Sequence, residues 1–536
     1  MATITLSAFR GEKPIVSPRL LPEQNAQVAR NLYLRRGTLQ PERAPLAMAV
    51  LPGLINPSSI YRYPYGNNGA GVWFGWGGGK IVDVVKSPLA SDDWKRVYWT
   101  GDGAPRMAPI ALATQGAGPY PSNSYLLGVP VPLGTIGVVH ALTDTEAPVT
   151  AVDCAYVVTL VSAYGEEGPP SSPSAAITRW DAVDDDEGMP IRVTLPTVPA
   201  GAHNIAFLRL YRAENNGTFN FVDDLPVGTA EYVDSVSTEA LGVDCPSLTW
   251  DAPDARMIGL RAIGNGILCG FFDNTLCFSE AYRPHAWPVD YQMAFPDNIV
   301  GIGATMNGIV VATTGKPWLV TGSSPAAMSQ TQLDTDLPCV SRGSVVDMGE
   351  YVLYAAAEGL VSVAGGQAVL ITEGDFSRDQ WQALQPSTMH AYRQDGRYLA
   401  FYDGGCFALA PGEGVEFLEL SATRGYFDEA ASQLYLLSGA AITAWRKGVP
   451  MAYRWRSKVF ETLRANYACG KVIAAGYPVH LRILADGQEV MAADIPTRQM
   501  FRLPAGFADA SAWEVEISGQ QEVMVVQLAS SPSELI

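Results

Sequence analysis

The chain has 536 residues, with 36 Lys or Arg against 54 Asp or Glu, a formal net charge of −18. That balance excludes a dedicated binder of nucleic acid or acidic membrane, because a negative surface repels phosphate and gains little from counterion release. Hydrophobic residues reach 48%, so the chain is globular, and its length suggests three or four domains at roughly 150 residues each.

Met1-Ala2-Thr3-Ile4-Thr5-Leu6-Ser7 lacks a charged region followed by an apolar one, so no secretory leader is expected. No apolar run approaches the roughly 18 residues of a membrane span, so no membrane insertion is expected. Residues 1–50 carry seven Lys or Arg against three Asp or Glu and form a candidate N-terminal docking segment. Within it residues 22–30 read as a short helix, with Pro22 at the first turn and Glu23 near the positive end of the dipole. Arg30, Arg35 and Arg36 are its candidate docking residues for an acidic partner.

Residues 51–144 read as a first propeller blade with connecting strands. Asn68-Gly69 precedes Val72-Trp73-Phe74-Gly75-Trp76, and a Gly77-Gly78-Gly79 turn leads into Ile81-Val82-Asp83-Val84-Val85. Asn-Gly between apolar runs is a strong hairpin signal, since both residues accept positive φ. The pattern returns further on. Ile258-Gly259-Leu260-Arg261-Ala262 leads to Asn265-Gly266, and 42 residues later Val300-Gly301-Ile302-Gly303-Ala304 leads to Asn307-Gly308. Further copies centre on Gly349-Glu350, Asp395-Gly396 and, more weakly, Ala431-Ser432. Each has a second turn about eight residues on: Asp273-Asn274, Gly315-Lys316, Glu358-Gly359, Gly404-Gly405 and Gly439-Ala440. Short strands, two turns and this spacing suit a four-stranded propeller blade. One early and five late copies predict about six blades, the late ones over residues 256–465. Residues 376–384 read as a helix between two of them, with capping-box spacing from Ser377 to Gln380.

Between the early and late copies, residues 145–255 form an expected insertion. It contains strand-like runs at residues 155–164, 191–195, 206–212, 218–222 and 230–234, with a breaker cluster at residues 165–174. Short strands at this density fit a fibronectin type III or immunoglobulin-like sandwich. Residues 466–536 alternate again and predict a small C-terminal β domain.

Chemical motifs are sparse. There is no H-E-x-x-H, G-x-S-x-G, Walker or dinucleotide-binding fingerprint. No catalytic residue, metal site or cofactor is therefore expected. His140, His203, His285, His390 and His480 lack ligand spacing. Asp184-Asp185-Asp186-Glu187 lacks the glutamate a calcium loop needs and reads as a solvated loop. Asn216-Gly217-Thr218 reads as a turn. Seven cysteines without a C-x-x-C predict neither a disulfide framework nor a zinc site. Cys269 and Cys277 flank a predicted hairpin and read as reduced core residues, consistent with folding in a reducing cytoplasm. Trp73, Trp76, Trp94 and Trp99 suit either sugar stacking or blade packing, the latter being the commoner use.

The order of several motifs resembles the tail nozzle (tail tubular, hub) proteins of short-tailed bacteriophages. They are Pro18-Arg19-Leu20-Leu21-Pro22, Tyr98-Trp99-Thr100-Gly101-Asp102-Gly103, Tyr125-Leu126-Leu127-Gly128-Val129-Pro130, Tyr164-Gly165-Glu166-Glu167-Gly168-Pro169-Pro170 and Phe278-Ser279-Glu280-Ala281-Tyr282-Arg283-Pro284. The resemblance implies a structural virion protein, made in the host cytoplasm. It would form a homohexameric ring at the distal end of the tail, dock on the head-to-tail adaptor ring, help attach fibres or spikes and retain the genome. Double-stranded DNA would pass its lumen without tight binding. The alternatives are a propeller that binds or cleaves glycans, and an exported adhesion protein with a fibronectin-like module. Residues 145–255 hold 18 Asp or Glu and four Arg, so most of the net charge belongs to the expected insertion rather than to a channel.

Overall fold

A computed structural model describes residues 3–65, 71–143, 147–149, 151–183, 188–463 and 465–535. Two expected features, the Asn68-Gly69 turn and the Asp184–Glu187 acid run, lie outside these residues.

The protein is almost entirely β. Seven small antiparallel sheets follow one another along the chain. The first pairs Pro57–Tyr63 with Val72–Gly77. The second runs from Asp83–Lys86 through Val97–Thr100 and Arg106–Ala108 to Tyr125–Leu126. The third to sixth are four-stranded meanders whose first strands are Ile258–Ala262, Ile299–Thr305, Val346–Asp347 and His390–Gln394. The seventh comprises Arg424–Asp428, Gln433–Ser438 and Ala441–Ala444, and takes its outermost strand, Leu46–Val50, from the N-terminal segment.

Each sheet packs on the next. Trp76 meets Trp99 between the first and second, Tyr98 meets Leu260 between the second and third, and Phe271 meets Ile302 between the third and fourth. Val310 with Val352, Tyr398 with Leu353, and Leu399 with Leu436 continue the series. Ile60 and Leu437 join the seventh sheet to the first, so the seven interfaces close a ring. One such sheet cannot cover both of its own faces, and stacking in a ring solves that. This is propeller topology with seven sheets, where about six were expected. The difference lies at Gly77-Gly78-Gly79. Gly78 and Gly79 take φ of 71° and 77°, but the turn carries the chain from one sheet to the next instead of joining two strands of one blade.

The expected helix at residues 376–384 is present as Arg378–Gln382, with Ser377 and Gln380 forming a capping box. It buries Trp381 against Phe407, and the Trp381 indole donates to the Ala356 carbonyl at 2.9 Å. The Asp395-Gly396 turn has both residues at positive φ, 49° and 72°, as an Asp-Gly hairpin requires.

The insertion is a sandwich of a three-stranded and a four-stranded sheet around Tyr156, Trp180, Ile191 and Leu210. Its strands run from Gly137–His140 to Glu231–Asp234, so the first precedes the expected boundary at residue 145.

The N-terminal segment differs most from expectation. Residues 22–30 are not helical; Val28–Arg30 is a strand. Gln27 N donates to the Arg456 carbonyl and Ala26 N to Gly11, so the backbone is committed to tertiary partners. Tertiary pairing thus overrides the local helix signal of Pro22 and Glu23. Val28–Arg30 lies between Val415–Leu418 of the sixth sheet, to which it is parallel, and Tyr453–Arg456, to which it is antiparallel. It thereby fuses that sheet with the C-terminal module into one ten-stranded sheet. Thr3–Leu6 adds to the second C-terminal sheet beside Val523–Ala529. The C-terminal β domain therefore begins before residue 466, at Tyr453–Arg456, and shares one core with the N-terminal segment, whose Phe9 packs with Trp455 of that domain.

All seven cysteines are buried and free. Cys269 faces the fourth sheet and Cys277 the second, so the two do not face each other. No described helix is long and apolar enough to cross a membrane.

Candidate functional site

The first strand of each sheet is its innermost, and these strands neighbour one another from the second sheet round to the first. Charged side chains on them meet across the ring interior. Arg342, in the turn entering the fifth sheet, forms an ion pair with Asp83 of the second, a sheet it does not adjoin. Arg261 of the third sheet reaches the same carboxylate at 3.7 Å. Asp347, on the fifth sheet, is solvent-exposed. Burial nevertheless raises its pKa, opposed by the Gly349 N–H and the guanidiniums of Arg393 and Arg261, while Glu429 raises it further.

Two glycines lie beside guanidiniums. A Cβ on Gly349 would lie 3.0 Å from Arg393 Nη1, and one on Gly343 would lie 2.9 Å from Arg424 Nη1. Gly349 also has φ of 100° and donates its N–H to Asp347 at 2.6 Å. Arg393 is exposed and forms no ion pair among the described residues. At the rim, Arg62 binds Asp428 at 3.6 Å and the Tyr435 hydroxyl at 3.1 Å. The axis thus concentrates guanidiniums in an acidic chain. Arginine holds carboxylates and phosphates through a planar fork. Nearby His390 is committed elsewhere: its nitrogens contact the Tyr392 hydroxyl at 3.0 Å and the Ala422 carbonyl at 3.1 Å, and burial lowers its pKa to about 4.

A second charge cluster joins the ring to the sandwich. Arg96, 3% exposed at its side chain, lies between Asp92 at 3.0 Å and Glu166 of the insertion. Trp94 and Tyr164 flank its guanidinium at 5.1 and 5.4 Å. His285 Nδ1 lies 3.8 Å from Glu166, and burial, with Arg283 and Arg96 nearby, holds the imidazole pKa down at about 3. Beside it, Glu167 binds the Tyr211 hydroxyl at 2.7 Å and Arg209 at 3.0 Å. These contacts clamp the sandwich to the ring.

The three expected docking arginines do not form one surface patch. Arg30 stacks on Phe417 at 4.3 Å and pairs with Glu12 at 3.6 Å. Arg35 donates to the Asp395 carbonyl at 2.9 Å. Arg36 is exposed. Trp76 and Trp99 are buried between sheets, whereas Trp94 belongs to the Arg96 clamp. No group of three or more His, Cys, Asp or Glu among the described residues is arranged to hold a metal ion.

Sequence reasoning missed the axial set because its members come from different sheets far apart in the chain. The available signal was a charged residue in the otherwise apolar first strand of a repeat, as at Arg261.

The fold defines a β-propeller scaffold carrying a β-sandwich insertion. No family model and no curated protein matches the chain. Among solved structures, it is similar to the extracellular domain of a putative hybrid two-component system from B. thetaiotaomicron, at 9% identity and a TM-score of 0.30. That match covers 80% of this chain, which spans 43% of the other. PorZ, a surface component of the type-IX secretion system of Porphyromonas gingivalis, matches at 11% identity and 0.25, covering 57% of this chain and 43% of that one. An exo-beta-1,3-galactanase from Phanerochaete chrysosporium matches at 8% and 0.17, covering 98% and 100%. Scores this low carry no functional assignment.

Proposed function

We propose that the protein is a ring-forming structural component of a short phage tail, the nozzle through which the genome leaves. The observation that carries this reading is an apolar edge strand. Leu46, Met48 and Val50 on the outermost strand of the seventh sheet are 49%, 54% and 67% exposed. The corresponding strand of the fourth sheet, Ser329–Gln332, is wholly polar. A strand edge that is both unpaired and apolar is a liability for a monomer and an asset for an oligomer. The order of the sequence motifs supports the same reading, and so does the ten-stranded sheet, which makes the modules mechanically continuous.

In this reading the conduit is the opening enclosed by several copies. The intramolecular ring is spanned by the Arg342–Asp83 pair, and the acidic surface disfavours retention of DNA. Head-to-tail adaptor, fibres or spikes and a place in the virion belong to the same proposal. Native mass spectrometry of purified protein tests it. Six copies in a closed ring are expected; a monomer at every concentration, with no copy in the virion, overturns it.

A further inference from the structure

We propose that the Leu46–Val50 edge of one copy docks the Glu231–Asp234 edge of the acidic sandwich on the next copy. This rests on the assembly reading and names the two faces that meet.

The first face is built at the seventh sheet. Leu46–Val50 pairs with Ala441–Ala444 on one side only, so its outer backbone edge has no strand partner. Such edges are commonly blunted by a bulge or a lysine. A bulge is present here, because Ala47 and Ala49 pair with adjacent residues. The residue it adds, however, is Met48, exposed like Leu46 and Val50. Just upstream, Ala44 exchanges backbone hydrogen bonds with Gly448 and Val449, which sets a basic cluster beside the apolar strand. Arg43 donates to the Gly448 carbonyl at 3.0 Å, Arg35 to the Asp395 carbonyl at 2.9 Å, and Arg446 pairs with the Asp395 carboxylate. Arg35, Arg43 and Lys447 are exposed and form no ion pair among the described residues.

An apolar edge bordered by unpaired cations is complementary to an apolar edge bordered by carboxylates. The sandwich supplies one, within a segment of 18 Asp or Glu against four Arg. Its three-stranded sheet has two outer strands, Gly137–His140 and Glu231–Asp234. Each presents an exposed valine, Val139 and Val233, but only the second carries carboxylates. Glu231 and Val233 share the exposed face of that strand. Asp224 is exposed on the strand before it, and Val227 in the turn between them. Within one chain the two edges stay apart, because Arg96 and Glu166 hold the sandwich on the second sheet. The occupant is therefore a second copy. Pairing Leu46–Val50 with itself would stop at a dimer and set cations on both sides of the contact. Two unlike faces meet head to tail, a contact that repeats and closes a ring of copies.

Cross-linking of the full-length chain tests this. All seven native cysteines are buried, so introduced thiols react selectively. A short bismaleimide should join Met48→Cys of one copy to Val233→Cys of another. It should not join Gln330→Cys, on the polar edge of the fourth sheet, to Val233→Cys. Lys447→Glu and Glu231→Lys, each folded by circular dichroism, should weaken assembly about tenfold in sedimentation velocity. The variant carrying both should recover most of that loss. A wild type that assembles while the Met48→Cys and Val233→Cys chains fail to cross-link, or while both reversals assemble at full strength, overturns this pairing and leaves the ring reading standing. A wild type that is monomeric at every concentration overturns both.

Discussion

Arg397 and Glu42 are 355 residues apart in sequence and meet at 2.7 Å, with side chains 2% and 0% exposed. Arg397 also binds Glu416 of its own sheet, and Arg446 binds Glu42 at 2.7 Å. The ring of Tyr33 lies between the two guanidiniums, at 4.5 and 4.2 Å. Four charges and one aromatic ring thus tie the N-terminal segment to the sixth and seventh sheets. Breaking a buried pair from one side leaves the other charge without compensation.

Arg397→Met should therefore destabilise the protein by about 3–5 kcal/mol. Glu42→Gln should cost less, because the amide still accepts one hydrogen bond. Urea unfolding measures both. An Arg397→Met variant with wild-type stability would show that the cluster adds nothing to the fold.

Arg96→Met should loosen the sandwich from the ring. Its guanidinium connects Asp92 to Glu166, and removing it leaves Glu166 buried without its cation. Limited proteolysis is expected to release a fragment spanning residues 137–234 faster than from wild type. Hydrogen exchange should rise at Tyr164–Glu167 and remain unchanged in the seventh sheet.

Two buried groups give opposite dependences on pH. His285 has a pKa of about 3 in the fold against about 6.5 when free. Its neutral form is favoured by folding, so that contribution is complete above pH 6.5 and is lost as pH falls towards 3. Glu12 accepts the Ala29 N–H at 2.7 Å, and burial raises its carboxyl to about 7 from 4.5 despite Arg30. The folded state then holds the proton more tightly, so stability falls as pH rises from 4.5 to 7. Each slope is bounded by about 1.4 kcal/mol per pH unit. Urea midpoints from pH 4 to 8 should show His285→Gln flattening the acid side and Glu12→Gln flattening the loss towards neutrality. A variant that reproduces the wild-type profile would remove its group from this account.

Met48→Lys combined with Val50→Lys should leave the monomer folded and weaken assembly at least tenfold. Sedimentation velocity over a range of concentrations reads this directly. Undiminished assembly would move the subunit contact away from the Leu46–Val50 edge.

The repeats were legible because several turn on Asn-Gly, Asp-Gly or Gly-Gly next to apolar runs, signals that depend on neighbouring residues alone. Asp395-Gly396 and Ser377 with Gln380 are both found as local chemistry dictates. The sheet count was not legible, since Gly77-Gly78-Gly79 looks the same within a blade or between two. Residues 22–30 misled because their hydrogen-bond partners, Gly11 and Arg456, are set by tertiary structure. The axial arginines stayed hidden for a similar reason: Arg342 and Asp83 become neighbours only when the ring closes.

The seventh sheet takes Leu46–Val50 opposite Ala441–Ala444, and this fixes an order of events during synthesis. The strand leaves the ribosome early, yet its partner is among the last parts of the ring to be made. Until then its inner backbone edge has no native partner, and the ring stays unclosed between the seventh sheet and the first. A propeller closed in this way matures late and as a unit, so a chain stalled before residue 441 remains open and prone to aggregation.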